Sequence, residues 1–385
     1  MKGIVKRTAV TALAGVMAAG MLTGCGSKTL DGSQTVATVD GTDIPLGIVS
    51  LYAREQQMQT AAMYASYLGS AAEIWDQKDD DTGETYGQKA VSETLKSVEL
   101  MYVLKEKAPD YKVEVTADDE KAIEEAASEF MAANSEETIK ELSVTEDQVK
   151  TLLELQTIQQ KIYNPIKAEA NVTVTDDEAN QSAFTYVSVS TSGDDLTDDD
   201  KKKKKEQAQE ILDKVKADPS GDMDEIAKGV DDSYSALTGT FTTKKSDDED
   251  SESSAYPEEV LDVLRGLKEG EVGSDLIETD TGYYIVRLDK ELDEAATKTK
   301  RDSIKESKEY DYYKETTDKW LDDAEVKEYK KVLKTLTITD KHTFTAPTPT
   351  PTPVPETTET TETETTEIET TETETTEIET TEEEK

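Results

Sequence analysis

The sequence predicts an α+β protein, mostly helical, with one small sheet in its middle third. Three observations carry that prediction. Between residues 46 and 166 apolar side chains recur at helical spacing in long runs. Ala183–Thr191 (AFTYVSVST) and Tyr283–Leu288 (YYIVRL) are short, rich in β-branched and aromatic residues, and bounded by turn formers. The stretch Tyr256 to Leu288 reads as helix, turn, strand: Pro257 suits a first helical turn, and Val260, Leu261, Leu264 and Leu267 form one apolar face. Gly270 is a stop signal, Glu269-Gly270-Glu271 a turn, and Thr281-Gly282 a bend into the strand.

The chain opens with Lys2, Lys6 and Arg7, followed by an apolar run from about Thr8 to Met21, too short to span a bilayer as a helix. The run ends in Leu22-Thr23-Gly24-Cys25, which resembles the lipobox of bacterial lipoproteins. That resemblance implies a signal peptide over 1–24, a diacylglyceryl group on Cys25, and a flexible tether over 25–35. Two acyl chains anchor a protein stably where one does not. The expected location is the extracytoplasmic face of the cell membrane.

Val36 to Ile44 alternates like a strand and breaks at Asp40-Gly41, a small hairpin. Helices are expected over 46–66, 87–107, 116–133, 136–142 and 145–166, with the Asp79–Asp81 run as a loop. Thr145-Glu-Asp-Gln148 is a capping box, and Pro165 marks the end of the last helix. Met58, Met63, Tyr64 and Tyr67, and Met101 and Tyr102 further on, suit either an adaptable apolar binding surface or plain core.

Thr175-Asp-Asp-Glu178 opens a short helix before the strand Ala183–Thr191. Lys201 to Ala217 is a helix with Ala208, Ile211, Leu212 and Val215 inward; its Lys201–Lys205 run, flanked by Asp198–Asp200 and Glu206, is a solvated face. A second short helix follows at Met223, Ile226 and Ala227, then Asp231-Asp232-Ser233 and Gly239-Thr-Phe241. Strand, helix, short helix, acidic turn, G-x-F, helix, GE turn, TGY strand is an order that resembles the parvulin-type peptidyl-prolyl isomerase domain over about Ala183–Asp289. The opening VATVDGTDI with its helical array resembles the chaperone regions of PrsA-type foldase lipoproteins and SurA-type periplasmic chaperones.

These resemblances imply a division of the chain: 36–177 a helical chaperone region, 178–292 an inserted parvulin-like domain with a small antiparallel sheet flanked by helices, 293–345 a helical return onto the N-terminal region, and 346–385 a tail. They imply an isomerase, or a holdase whose parvulin domain is degenerate. Carried over residue by residue, the proline pocket falls on Phe241, Tyr256 and Val260. Of the two core histidines of the family, the first falls on or beside Tyr186 and the second on Tyr284, tyrosines whose hydroxyls still donate and accept hydrogen bonds. The residue facing the twisting amide falls on Asp232, with Asp231 and Ser233 as alternatives. The chain departs from the family in these two tyrosines, in Val260 where a larger residue is usual, in the single Gly239, and in the long acidic stretch Lys244–Ser254. No cofactor and no metal are implied.

Composition narrows the classes further. The 385 residues carry a formal charge of −43 and are 34% hydrophobic, with Cys25 the sole cysteine and His342 the sole histidine. That inventory excludes a disulfide framework, a cysteine metal cluster and a Ser-His-Asp triad. The charge disfavours nucleic acid and suits basic or unfolded polypeptides and cations; newly exported polypeptides are the partners that the resemblance implies. A solute-binding lipoprotein would need repeated strand–helix units, which the pattern lacks. Oligomeric state stays open, a dimer being one option. Glu291 to Thr335 reads as one long charged helical region. Thr348-Pro-Thr-Pro-Thr-Pro is an extended spacer, and TETETTEIET at 361–370 repeats at 371–380, a tail expected to stay disordered.

Overall fold

A computed structural model describes residues 30–68, 74–193, 196–245 and 255–340. The signal run, Cys25, His342, most of the acidic stretch 244–254 and the Thr/Glu tail lie outside the described residues. The N-terminal region starts with the expected hairpin, β1 (Thr35–Val39) and β2 (Thr42–Pro45). Asp40 and Gly41 both have positive φ, 46° and 81°; this two-residue turn twists the way the strands do.

Five helices follow: α1 (Leu46–Leu68), α2 (Tyr86–Lys107), α3 (Ala117–Ala133), α4 (Glu136–Leu142) and α5 (Glu146–Ala168). Thr85, Thr116 and Thr145 each close a capping box, the hydroxyl accepting the N3 amide while Gln88, Asp119 or Gln148 reaches back. Replacing Thr145 by alanine is expected to cost about 1 kcal/mol, read as a lowered denaturation midpoint. The helix does not end at Pro165, as the sequence suggests, but runs on to Ala168. Ile162 and Ile166 on either side of the proline are fully buried, and their packing outweighs the missing amide.

The core of this region gathers Val36, Ile44, Leu46, Leu51, Leu95, Val98, Phe130, Leu152 and Leu155. Met101 belongs to it, whereas Met63 and Tyr67 on the second half of α1 are 51% and 82% exposed. The methionine and tyrosine residues therefore divide between core and surface.

The middle third contains α6 (Asp176–Ala179), β3 (Gln181–Ser190), α7 (Asp198–Ala217), α8 (Met223–Lys228), β4 (Ala236–Thr242), α9 (Glu258–Arg265), β5 (Ile277–Thr279) and β6 (Gly282–Lys290). The strands form an antiparallel sheet in the order β4-β3-β6-β5. Asp198–Asp200, expected ahead of α7, form its first turn, where carboxylates suit the helix dipole. Three-residue β5 is absent from the sequence reading, being too short to show a period. Helix α9 stops at Arg265 with Gly266 as its cap, one turn before the predicted Gly270, which instead takes positive φ (82°) in the following turn. Gly282 has no substitute: its φ is 148°, and a Cβ would collide with the Val189 carbonyl on β3.

The sheet has two dressed faces. Val187, Val189, Tyr283 and Ile285 pack under α7 and α8 with Ala208, Ile211, Leu212 and Val215. Phe184, Phe241, Val286 and Leu288 pack under α9 with Val260, Leu261 and Leu264. This alternation is the period-2 consequence of the strand geometry.

The chain then returns. Helix α10 (Glu294–Asp323) ends twelve residues short of the predicted Thr335, because Ala324 turns to extended backbone (φ −76°, ψ 148°). Val326–Glu328 is a strand, β7, which pairs antiparallel with β1, Val39 opposite Val326 and Ala37 opposite Glu328. After α11 (Lys330–Leu333), residues 336–340 are clamped by the N-terminal helices. The Arg54 guanidinium donates to the Thr337 carbonyl at 2.6 Å and Gln57 donates to that of Thr339 at 3.1 Å. The amides of Trp75 and Asp76 donate to the Asp340 carboxylate at 2.9 and 3.1 Å. Gly87 lets the Ile338 carbonyl lie against α2 where any Cβ would collide with it. Leu336 and Ile338 complete the N-terminal core. The sheet-bearing middle third is thus inserted into a helical region made from the described segments on either side of it.

Candidate functional site

Phe184 and Tyr186 sit two residues apart on β3 and point to the α9 side of the sheet. Tyr186 pairs with Val286 of β6 and Ser188 with Tyr284, so Tyr284 is the diagonal neighbour of Tyr186. Their rings lie 5.9 Å apart. On the other side, Tyr186 pairs with Leu237 and Phe184 with Gly239 of β4. Tyr256, just before α9, brings its ring 4.9 Å from that of Phe184 and 5.6 Å from that of Tyr186, both edge to face. Phe241 meets Phe184 at 5.7 Å.

Gly239 makes this closure feasible. A Cβ there would collide with the Tyr256 hydroxyl and crowd the Phe184 ring, so the glycine is needed for a close approach of ring to backbone. Tyr256 lies over the strand and covers the cluster. Val260 is fully buried and Phe241 is 5% exposed, so they form its floor; Tyr186, Tyr256 and Tyr284 are half-buried at its mouth. Burial, and then the neighbouring Tyr256 and Tyr284, push the Tyr186 hydroxyl above its ordinary pKa. It is a neutral donor at any physiological pH.

The acidic turn lies between α8 and β4. Asp231 is held there: its carboxylate accepts from the Ser233 amide at 3.0 Å, the Ser233 hydroxyl at 2.7 Å and the Gln207 side chain at 3.1 Å. The Ser233 hydroxyl bond is the main reason its pKa is lowered. Asp231 and Ser233 are therefore committed to holding the turn, and Asp232, exposed, takes no part in that network. Tyr234, two residues on, is buried against the opposite face of the sheet.

Five of the residues singled out from sequence, Phe241, Tyr256, Val260, Tyr186 and Tyr284, thus lie in one cluster, and Asp232 lies on the turn that leads into β4. The residue missed is Phe184, fully buried and in ring contact with Tyr186, Phe241 and Tyr256. Its signal was present in the strand period, since residues i and i+2 share a face. Among the described residues no group of three or more acidic, histidine or cysteine side chains is placed to hold a metal, and no helix is long and apolar enough to cross a membrane.

A sheet with an aromatic cluster on one face, closed by a short helix and covered by Tyr256, is a geometry suited to an apolar ring. Residues 188–290 match the rotamase family, the PPIC-type PPIase domain. Among solved structures, the chain is similar to the foldase protein PrsA from Lactococcus lactis, at 18% identity over 78% of this chain and 96% of that one, TM-score 0.33. It is similar to the peptidylprolyl isomerase PrsA from Bacillus cereus, at 17% over 79% and 97%, TM-score 0.29. A SurA-like chaperone structure from Campylobacter jejuni matches at 10% over 77% and 99%, TM-score 0.26. No curated protein matches the chain.

Proposed function

We propose that the chain is a foldase of exported proteins, lipid-anchored through Cys25 on the outer side of the membrane, which binds unfolded polypeptide and isomerises X-Pro bonds. The observation that carries the reading is the convergence of Phe241, Tyr256, Val260, Tyr186 and Tyr284 within the segment that matches the PPIC-type domain. Rotation about an X-Pro bond has a barrier of about 20 kcal/mol and takes tens of seconds unaided. No bond is made or broken; the site need only hold the proline ring and favour the twisted amide over the planar one. Aromatic faces supply the first, and the hydroxyls of Tyr186 and Tyr284 hydrogen-bond the amide in its twisted state. Asp232 acts on the side of the peptide that faces the turn.

A second reading is favoured by one observation: Tyr256 already fills the space over Gly239. If it stays there, the domain is a non-catalytic holdase. Proline-limited refolding of a reporter in the presence of the chain separates the two. Catalysis predicts acceleration at micromolar protein, reduced at least tenfold in Tyr186→Ala and Tyr284→Ala; no acceleration leaves only the holdase. For the anchor, Cys25→Ser is expected to move the protein from the membrane to the soluble fraction, and a protein that stays on the membrane removes that part of the proposal.

A further inference from the structure

The helical region carries a second site, away from the aromatic cluster. We propose that the cleft between α2, α10 and β7 binds the side chain of a lysine presented by a bound polypeptide. The cleft has a volume of ≈ 430 Å³ and is lined by Lys96, Glu99, Asp318, Leu321, Asp322 and Val326. Glu99 is 2% exposed, yet its Oε1 has no hydrogen-bond partner. A buried carboxylate oxygen without a partner is a large penalty, and one that a folded chain rarely carries without use.

The groups around it define the ligand. Asp318 and Asp322 stand one turn apart on α10, and Glu328 of β7 adds a further negative charge. From its own helix, Lys96 is an opposing cation, exposed at the rim, and Lys314 of α10 pairs with Asp318 at 2.5 Å. Leu321 and Val326 supply apolar wall. A negative floor with apolar sides is complementary to an aliphatic stem ending in an ammonium. One unpaired oxygen suits a point charge better than a guanidinium, which prefers a bidentate carboxylate. A divalent ion would need a full set of oxygens, and the described residues place no such group. The proposal rests on the polypeptide-binding reading for the source of the lysine.

Burial, and after it the charge of Glu328, pushes the Glu99 carboxyl up to about 7, against the pull of Lys96. An ammonium binds the ionised form, so its affinity rises between pH 6 and pH 8. The same group makes wild-type stability fall as pH rises from the ordinary value of 4.5 through 7, since the folded state holds the proton more tightly. The thermal midpoint of Glu99→Gln is therefore expected to lie above wild type at pH 8, with the gap closing at pH 4.

The test is calorimetric titration of the full chain with a blocked alanine-rich peptide carrying one lysine, beside the same peptide with norleucine or arginine. The lysine peptide is expected to bind at least tenfold more tightly than the norleucine one. Glu99→Gln is expected to abolish that preference and Lys96→Ala to strengthen it. Should Glu99→Gln misfold, Asp322→Asn at the rim is expected to weaken lysine binding several-fold. Equal affinity for lysine and norleucine would falsify the assignment; so would a preference that survives Glu99→Gln, or saturation of the site by calcium in place of peptide. Failure of the foldase reading appears separately, as loss of any effect on refolding while the lysine preference stands.

Discussion

Truncating Phe184 to alanine is expected to destabilise the middle third by about 3–5 kcal/mol, the range for a buried aromatic. The side chain is fully buried and touches three other rings, at 5.4 Å (Tyr186), 5.7 Å (Phe241) and 4.9 Å (Tyr256). Each edge-to-face or offset pair adds roughly 0.5–1.5 kcal/mol beyond the area it buries. The loss removes apolar burial, three ring contacts and the support on which Tyr256 rests, so denaturant midpoint and reporter refolding should fall together. Tyr67→Ala, at 82% exposed, is the control and should shift stability by no more than about 0.5 kcal/mol. A Phe184→Ala protein with an unchanged midpoint would mean that the cluster is not packed as described.

A chain ending before Val326 is expected to lose cooperative unfolding of the helical region, compared with one ending at Asp340. The truncation removes β7, leaving β1 with an open edge, and takes Leu336 and Ile338 out of the core. It also strips the Thr337 carbonyl from the Arg54 guanidinium, which is 8% exposed. Arg54 keeps the Gln57 side chain as an acceptor, so losing a hydrogen bond to a charged group costs about 1.5–3 kcal/mol, and two lost core side chains add about 2–5 kcal/mol each. Their sum matches the whole stability of an ordinary domain. The middle third should be spared, since its cores draw on residues of the insert. Calorimetry of the two chains would show one surviving transition; two unchanged transitions would contradict the clamp.

Much of this architecture is legible in the amino-acid order. The helices over 46–168 show themselves by apolar spacing, and the residues named for α7, Ala208, Ile211, Leu212 and Val215, are all buried. The cluster residues were reachable through the resemblance, whose short motifs G-x-F and TGY set their places along the chain. What escaped is what depends on distant partners. Val326–Glu328 has no strand pattern of its own and becomes a strand because β1 offers an edge. Pro165 is carried inside a helix by buried neighbours on both sides. Phe184 stands outside the sequence reading because the resemblance points to its neighbour Tyr186, although the two share a face.

The clamp that joins Arg54 to Thr337 spans 283 positions of chain, which bears on the order of assembly. Closing a flexible loop of that length costs on the order of 5 kcal/mol of entropy, and contacts of such long range slow folding. The insert draws on neighbouring sequence and can form early, drawing the two ends of the loop toward each other before either is held. A ribosome delivers the amino end first. The helical region must therefore wait, half-built, until residues 326–340 emerge, and during that interval its core stays open on the side that Leu336 and Ile338 will close.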